Sequence, residues 1–117
     1  MPSRIQLSRR RGWRMPPGAV HAARPGKWGN PYRVGERNPF GTVTTNNRHA
    51  ASLYVGFAPQ NETLIAAARA ELRGRDLACW CRLCELHVDG KPLGIDCPYC
   101  EPCHVDTLLK LANGPPP

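Results

Sequence analysis

The sequence predicts an α/β fold, a small sandwich of about three strands and three helices interrupted by one cysteine-rich insert. Three observations predict it. The 117 residues suffice for one ordinary domain, which at this size buries roughly two-thirds of the surface its unfolded chain exposes. Apolar patterning switches between period 2 and period 3.6 in the order β, β, α, α, β, α. All six cysteines, at 79, 81, 84, 97, 100 and 103, fall in one segment instead of being spread to staple distant ones.

The first strand is expected over Arg4–Leu7, where Ile5 and Leu7 share a face, and it ends at Ser8. Arg9–Gly18 is basic, carries Trp13 and closes on Pro16-Pro17-Gly18, which makes it a loop leading to a second short strand near Ala19–Ala23. Seven Pro and Gly residues between Pro25 and Gly41 then forbid regular structure as far as Thr42. A first helix is expected from about Asn46 to Tyr54, with Thr44 and Thr45 as cap candidates, and a second from about Glu62 to Leu72. In the second, Asn61 caps, Leu64, Ile65, Ala68 and Leu72 form the apolar stripe, and Gly74 supplies the stop. Asp76–Cys81 reads as a buried strand, suited to parallel pairing with the second strand across the helices. His104–Ala112 reads as the last helix, with Val105, Leu108, Leu109 and Ala112 inward before the Asn113-Gly114 stop. Residues 1–114 then make a single domain, with 82–102 as an insert and the prolines 115–117 as a tail.

The net charge of +7 is unevenly placed. Residues 1–40 carry nine basic side chains against Glu36 alone, and the remainder seven against eight acidic ones. A basic face at one end is the footprint of a polyanion binder, since each phosphate contact releases counterions; a solvated arm is the plainer alternative. Apolar runs such as Leu64–Ala68 fall far short of the roughly 20 residues of a membrane span. The polar, basic start lacks the apolar core of a leader peptide, so a cytoplasmic location is expected.

Clustered cysteines without a leader favour metal over disulfides. Cys84-x2-His87, nine residues, then Cys97-x2-Cys100 forms two ligand pairs, each at zinc-knuckle spacing. Turn residues Asp89-Gly90 and Pro92-Leu93-Gly94 lie between the pairs. One zinc ion held by Cys84, His87, Cys97 and Cys100 is therefore expected. A four-cysteine set of Cys81, Cys84, Cys97 and Cys100 also satisfies the spacing, but Cys81 belongs to the expected strand, on the face of Leu77 and Cys79.

The runs Arg24-Pro25, Lys27-Trp28-Gly29-Asn30-Pro31, Leu77-Ala78-Cys79-Trp80-Cys81 and Cys103-His104-Val105-Asp106, with Leu108, resemble a small uncharacterised domain family of actinobacteria and their phages. The resemblance extends from Arg4 to Asn113 and implies no established activity. Relatives that join the Cys-Trp-Cys and Cys-His motifs by few residues imply that Leu83–Glu101 is an added staple.

Ligands of open α/β sheets settle at the carboxyl ends of strands, and helix N-termini offer N–H groups to anions. Arg24 and Lys27 then suit phosphate, Trp28 suits stacking on a base, Gly29 and Asn30 suit close approach of the loop, and Cys103 and His104 open the last helix into the same crevice. Each has a structural alternative: Trp28 covering the core, Gly29-Asn30-Pro31 as a plain turn, Arg24 in an ion pair. Cys103 and His104 also invite an enzymatic reading, although neighbours on a helix point about 100° apart. A second metal site combining Cys79 or Cys81 with Cys103 and His104 is equally consistent. His21 and His49 are isolated and read as surface or packing residues. Three functions remain: a module binding nucleic acid or nucleotide, of phage or mobile-element type; a small enzyme acting on a nucleotide or phosphorylated ligand, using Cys103, His104 and Arg24; and a protein-interaction module presenting Leu86, Val88 and Leu93.

Overall fold

The computed structural model describes residues 2–23 and 26–114. Its mixed four-stranded sheet has the order β2-β3-β1-β4, formed by β1 (Ser3–Gln6), β2 (Val20–His21), β3 (Leu77–Cys79) and β4 (Lys91–Pro92). Three helices accompany it: α1 (Asn47–Phe57), α2 (Glu62–Glu71) and α3 (His104–Asn113). The α/β class is as expected, and β2 runs parallel to β3. The central strand β3 also pairs in parallel with β1, Arg4 opposite Leu77 and Gln6 opposite Cys79. One strand more than expected comes from the cysteine-rich segment. There Lys91 and Pro92 pair antiparallel with Arg4 and Ser3, tying that segment to the sheet edge.

Period-2 alternation decides what each sheet face meets. Leu77 and Cys79 point toward the helices and join a core with Tyr54, Leu72, Val105, Leu108 and Leu109. Ala78 points the other way, toward Leu7, Ile5, Trp13 and Met15, so the basic loop after β1 covers the second face. Helix α3 packs against both α1 and α2 and against β1 and β3. Its buried residues His104, Val105, Leu108, Leu109 and Ala112 follow the helical period, and burying each large aliphatic side chain contributes about 1.5–3 kcal/mol.

Helix boundaries follow local chemistry. Asn46, not Thr44 or Thr45, caps α1: its Oδ1 accepts the His49 N–H at 2.8 Å. Thr44 is buried and its backbone serves the preceding loop, donating to the Glu36 carbonyl and accepting from Gly35 N–H. Asn61 caps α2 through the Leu64 N–H, and Gly74 reverses the chain beyond it with φ +78, a conformation glycine adopts without a Cβ penalty. Among its described residues, the Gly- and Pro-rich stretch before α1 contains turns and an isolated bridge between Arg37 and Val43.

Candidate metal centre and cleft

The tight turns of the cysteine-rich segment bring the ligating atoms of Cys84, His87, Cys97 and Cys100 within 4.8 Å of one another. Tetrahedral coordination at ~2.3 Å for sulfur and ~2.0 Å for nitrogen requires edges of about 3.7 Å between sulfurs and about 3.5 Å between sulfur and nitrogen. The Cys84 and Cys97 Sγ atoms are 3.7 Å apart, and His87 Nδ1 lies 3.5 Å from Cys100 Sγ and 3.2 Å from Cys84 Sγ. The donor set and its spacing therefore fit a metal ion. The Cys84 N–H donates to Cys100 Sγ at 3.3 Å, a bond that favours thiolate. Cys97 is held down to about 6: desolvation acts upward, but the Tyr99 N–H and the Cys100 thiol, with further hydrogen bonds from the Cys100 N–H and Cys84, together outweigh it.

Cys81 belongs to a different group. Where β3 ends and α3 begins, the Sγ atoms of Cys79, Cys81 and Cys103 also lie within 4.8 Å of one another, with 3.1 Å between Cys103 and Cys79. Cys81 is brought down to about 3 by hydrogen bonds from Cys103 and Cys79, helped by the charge of Arg4. Cys79 gains from its bond with Cys103, yet its contact with Cys81 and its burial push it up to about 12. Cys103 is raised by its bonds to Cys79 and Cys81 and by burial. Negative charge in the trio thus concentrates on Cys81.

Behind the trio stands Arg4, fully buried in β1. Its Nη1 meets the Asp106 carboxylate at 2.8 Å, and its Nη2 donates to the carbonyls of Glu101 at 2.7 Å and Arg82 at 3.2 Å. Burial alone would weaken its charge; Asp106 and the three cysteines raise its affinity for the proton instead. Lys91 of β4 binds the other Asp106 oxygen at 3.0 Å. Nothing local in the sequence announced this pairing of residues 4 and 106.

A cleft of about 270 Å³ opens over the trio. Of the residues expected to bind ligand, Asn30, Cys103 and His104 line it, together with Trp80 and Glu101. Lys27 and Gly29 do not line it, and Lys27 Nζ pairs with Glu71 at 2.8 Å. Trp28 is only 7% exposed and packs in the core, which leaves its ring no open face for a base. Arg24 lies outside the described residues, as does the tail 115–117. The loop nevertheless reaches the start of α3, because His104 Nε2 lies 2.8 Å from the Ala22 carbonyl oxygen and 3.0 Å from that of Trp28. Two carbonyl acceptors require a proton on Nε2, so His104 fastens the loop, and its Nδ1 faces Cys103 Sγ at 3.6 Å. Asn30 is likewise engaged, donating to the Ala50 carbonyl and accepting from the Tyr32 N–H.

The exposed aromatic at the cleft is Trp80, 43% accessible. The guanidinium of Arg9 lies 4.5 Å from its ring centroid, which brings this residue of the basic loop to the cleft rim. Its place between two inward-turned cysteines was the signal available in the sequence, since alternation past a strand end turns the middle residue outward.

Among the described residues no helix is long and apolar enough to cross a membrane. A family model described as a domain of unknown function (DUF4326) matches residues 5–114, nearly the whole length. No curated protein and no solved structure matches.

Proposed function

The chain belongs to the DUF4326 family, and we propose that it is a zinc-stapled module that binds nucleic acid along the basic rim of its cleft. The observation that carries this reading is the stack of Arg9 on Trp80. It joins an exposed aromatic face to a run of exposed arginines, the combination by which single strands are bound through base stacking and phosphate contacts. Zinc is the metal that suits three cysteines and one histidine at tetrahedral spacing. Its role is to order the segment 83–101, where Leu83 is buried but Leu86, Val88 and Tyr99 are exposed, too little apolar burial to fix the chain unaided. The resemblance carried by the order of the Trp-Gly-Asn-Pro, Cys-Trp-Cys and Cys-His motifs supports an origin among phage or mobile-element proteins.

The test is binding of a short single-stranded oligonucleotide across a salt series. Arg9, Arg10 and Arg11 replaced together by Ala should flatten the plot of log affinity against log salt by roughly 0.7 for each phosphate no longer neutralised. Trp80→Ala should lose about 1–3 kcal/mol of affinity with little change in melting temperature. A mononucleotide that binds as tightly, with no salt slope, would assign the cleft to a nucleotide instead. Unchanged slope and affinity in both variants would return the arginines to a solvated loop.

A further inference from the structure

We propose that Cys79, Cys81 and Cys103 hold a second thiophilic divalent metal ion, with a fourth, exchangeable coordination position facing the cleft. This inference is independent of nucleic-acid binding at the rim. It starts from three cysteines brought to one point by different elements: Cys79 ends β3, Cys81 follows it, and Cys103 precedes the first residue of α3. Their sulfurs share a radius that one ion can span, and all three residues line the same cleft. Among the described residues no His, Asp or Glu joins the group. His104, the nearest imidazole, has its Nδ1 3.6 Å from Cys103 Sγ, but that nitrogen does not come within 4.8 Å of all three sulfurs. Three protein ligands and an open side is the arrangement in which a bound ion keeps a place for water or another small donor, whereas a closed set of four serves structure.

The buried charges call for an anionic trio. Arg4 and Lys91 are both nearly inaccessible, and the one carboxylate within ion-pair reach of either, among the described residues, is Asp106. Two cations and one anion leave a buried positive charge without a partner, which is costly unless compensated. A divalent ion on three thiolates carries one net negative charge, and it would sit near Arg4, whose Nη2 reaches the Cys81 carbonyl at 3.5 Å. Three neutral thiols would leave that charge uncompensated, whereas an anionic trio balances it, and the convergence of the three sulfurs is what points to an ion as the form that anion takes.

Native mass spectrometry of protein purified without chelator should find two metal ions per chain, falling to one in Cys81→Ser and to one, at the other site, in the double variant Cys97→Ser, Cys100→Ser. Cys81 is the half-buried member of the trio, so its variant is the least prone to misfold. The wild-type count stands even if every variant fails. Cobalt(II) replacing the native metal gives a second reading: added imidazole should shift the visible ligand-field bands of the open site. Imidazole should leave unchanged the bands that survive in Cys81→Ser. One metal in the wild type, unaffected by Cys81→Ser, would overturn the proposal. A Cys79–Cys103 disulfide in place of the second ion would do so as well. A second ion whose spectrum ignores imidazole would overturn the open position. None of these outcomes bears on the salt slope of the rim.

Discussion

The two sulfur clusters differ in how they are built. Cys84, His87, Cys97 and Cys100 are brought together by tight turns in one short segment, whose Leu86 is 85% and Tyr99 79% exposed. Cys79, Cys81 and Cys103 stand where a central strand and the start of a helix converge, and Cys79 and Cys103 are buried in the main core. A site made by local turns leans on its metal, because β4 and the bond of Lys91 to Asp106 anchor only the middle of the segment and not the turns that carry the ligands. A site made by packed elements exists before any ligand arrives, and its geometry can serve something besides stability. Four donors close the first around an ion; three leave the second open to a cleft.

The sharpest way to break this contrast is to remove the closed site. In Cys97→Ser, Cys100→Ser the apparent free energy of metal binding there, about 10–16 kcal/mol for structural zinc in small fingers, should be lost. The damage should stay local: amide exchange should accelerate from about Leu83 to Glu101 while α2 and α3 keep their protection. Collapse of the whole domain would show that the ribbon, through β4 on the sheet edge, is part of the main cooperative unit.

The second effect tests the other side. Arg4→Met removes the cation that joins Asp106 to the carbonyls of Arg82 and Glu101, leaving buried acceptors without a donor. A loss of about 3–5 kcal/mol in denaturant unfolding is expected. If the variant is as stable as the wild type, the packing of Cys79 and Cys103 does not depend on this ion pair, and the charge argument for the open site falls with it.

The same contrast explains what could be read from the sequence. Helices α2 and α3 were legible because their apolar stripes are local, and so was the Cys84, His87, Cys97, Cys100 set, whose spacing is itself the geometry. The fold class followed from the order of those patterns. Strand β4 was not legible, since Lys91 and Pro92 carry no alternation and are placed by pairing with β1 and by the bond of Lys91 to Asp106. Alternation could turn Trp80 outward between its two cysteines, but no period could show that Trp28 is covered. Trp28 and Trp80 both sit in short motifs, and only the path of the loop past His104 buries one while the strand end exposes the other. The partner of Arg4 lies a hundred residues away in sequence, beyond any local pattern.

The smallest expected effect concerns the surface of the ribbon, where the contrast between exposed and packed apolar residues can be measured within one segment. Leu83 is 5% exposed and its N–H is taken by the side chain of Gln6, so Leu83→Ala should cost about 2–5 kcal/mol, as a buried truncation does. Leu86 has no such cover, and Leu86→Ser should change stability by less than about 0.5 kcal/mol, with the metal retained. Measured together by thermal unfolding at fixed zinc, the pair separates residues that anchor the ribbon from those it merely displays. A large loss in Leu86→Ser would mean that the exposed leucine is covered in solution, by a second copy or another protein. That would move the ribbon from staple to docking surface, a role its exposed Val88, Ile95 and Tyr99 could then share.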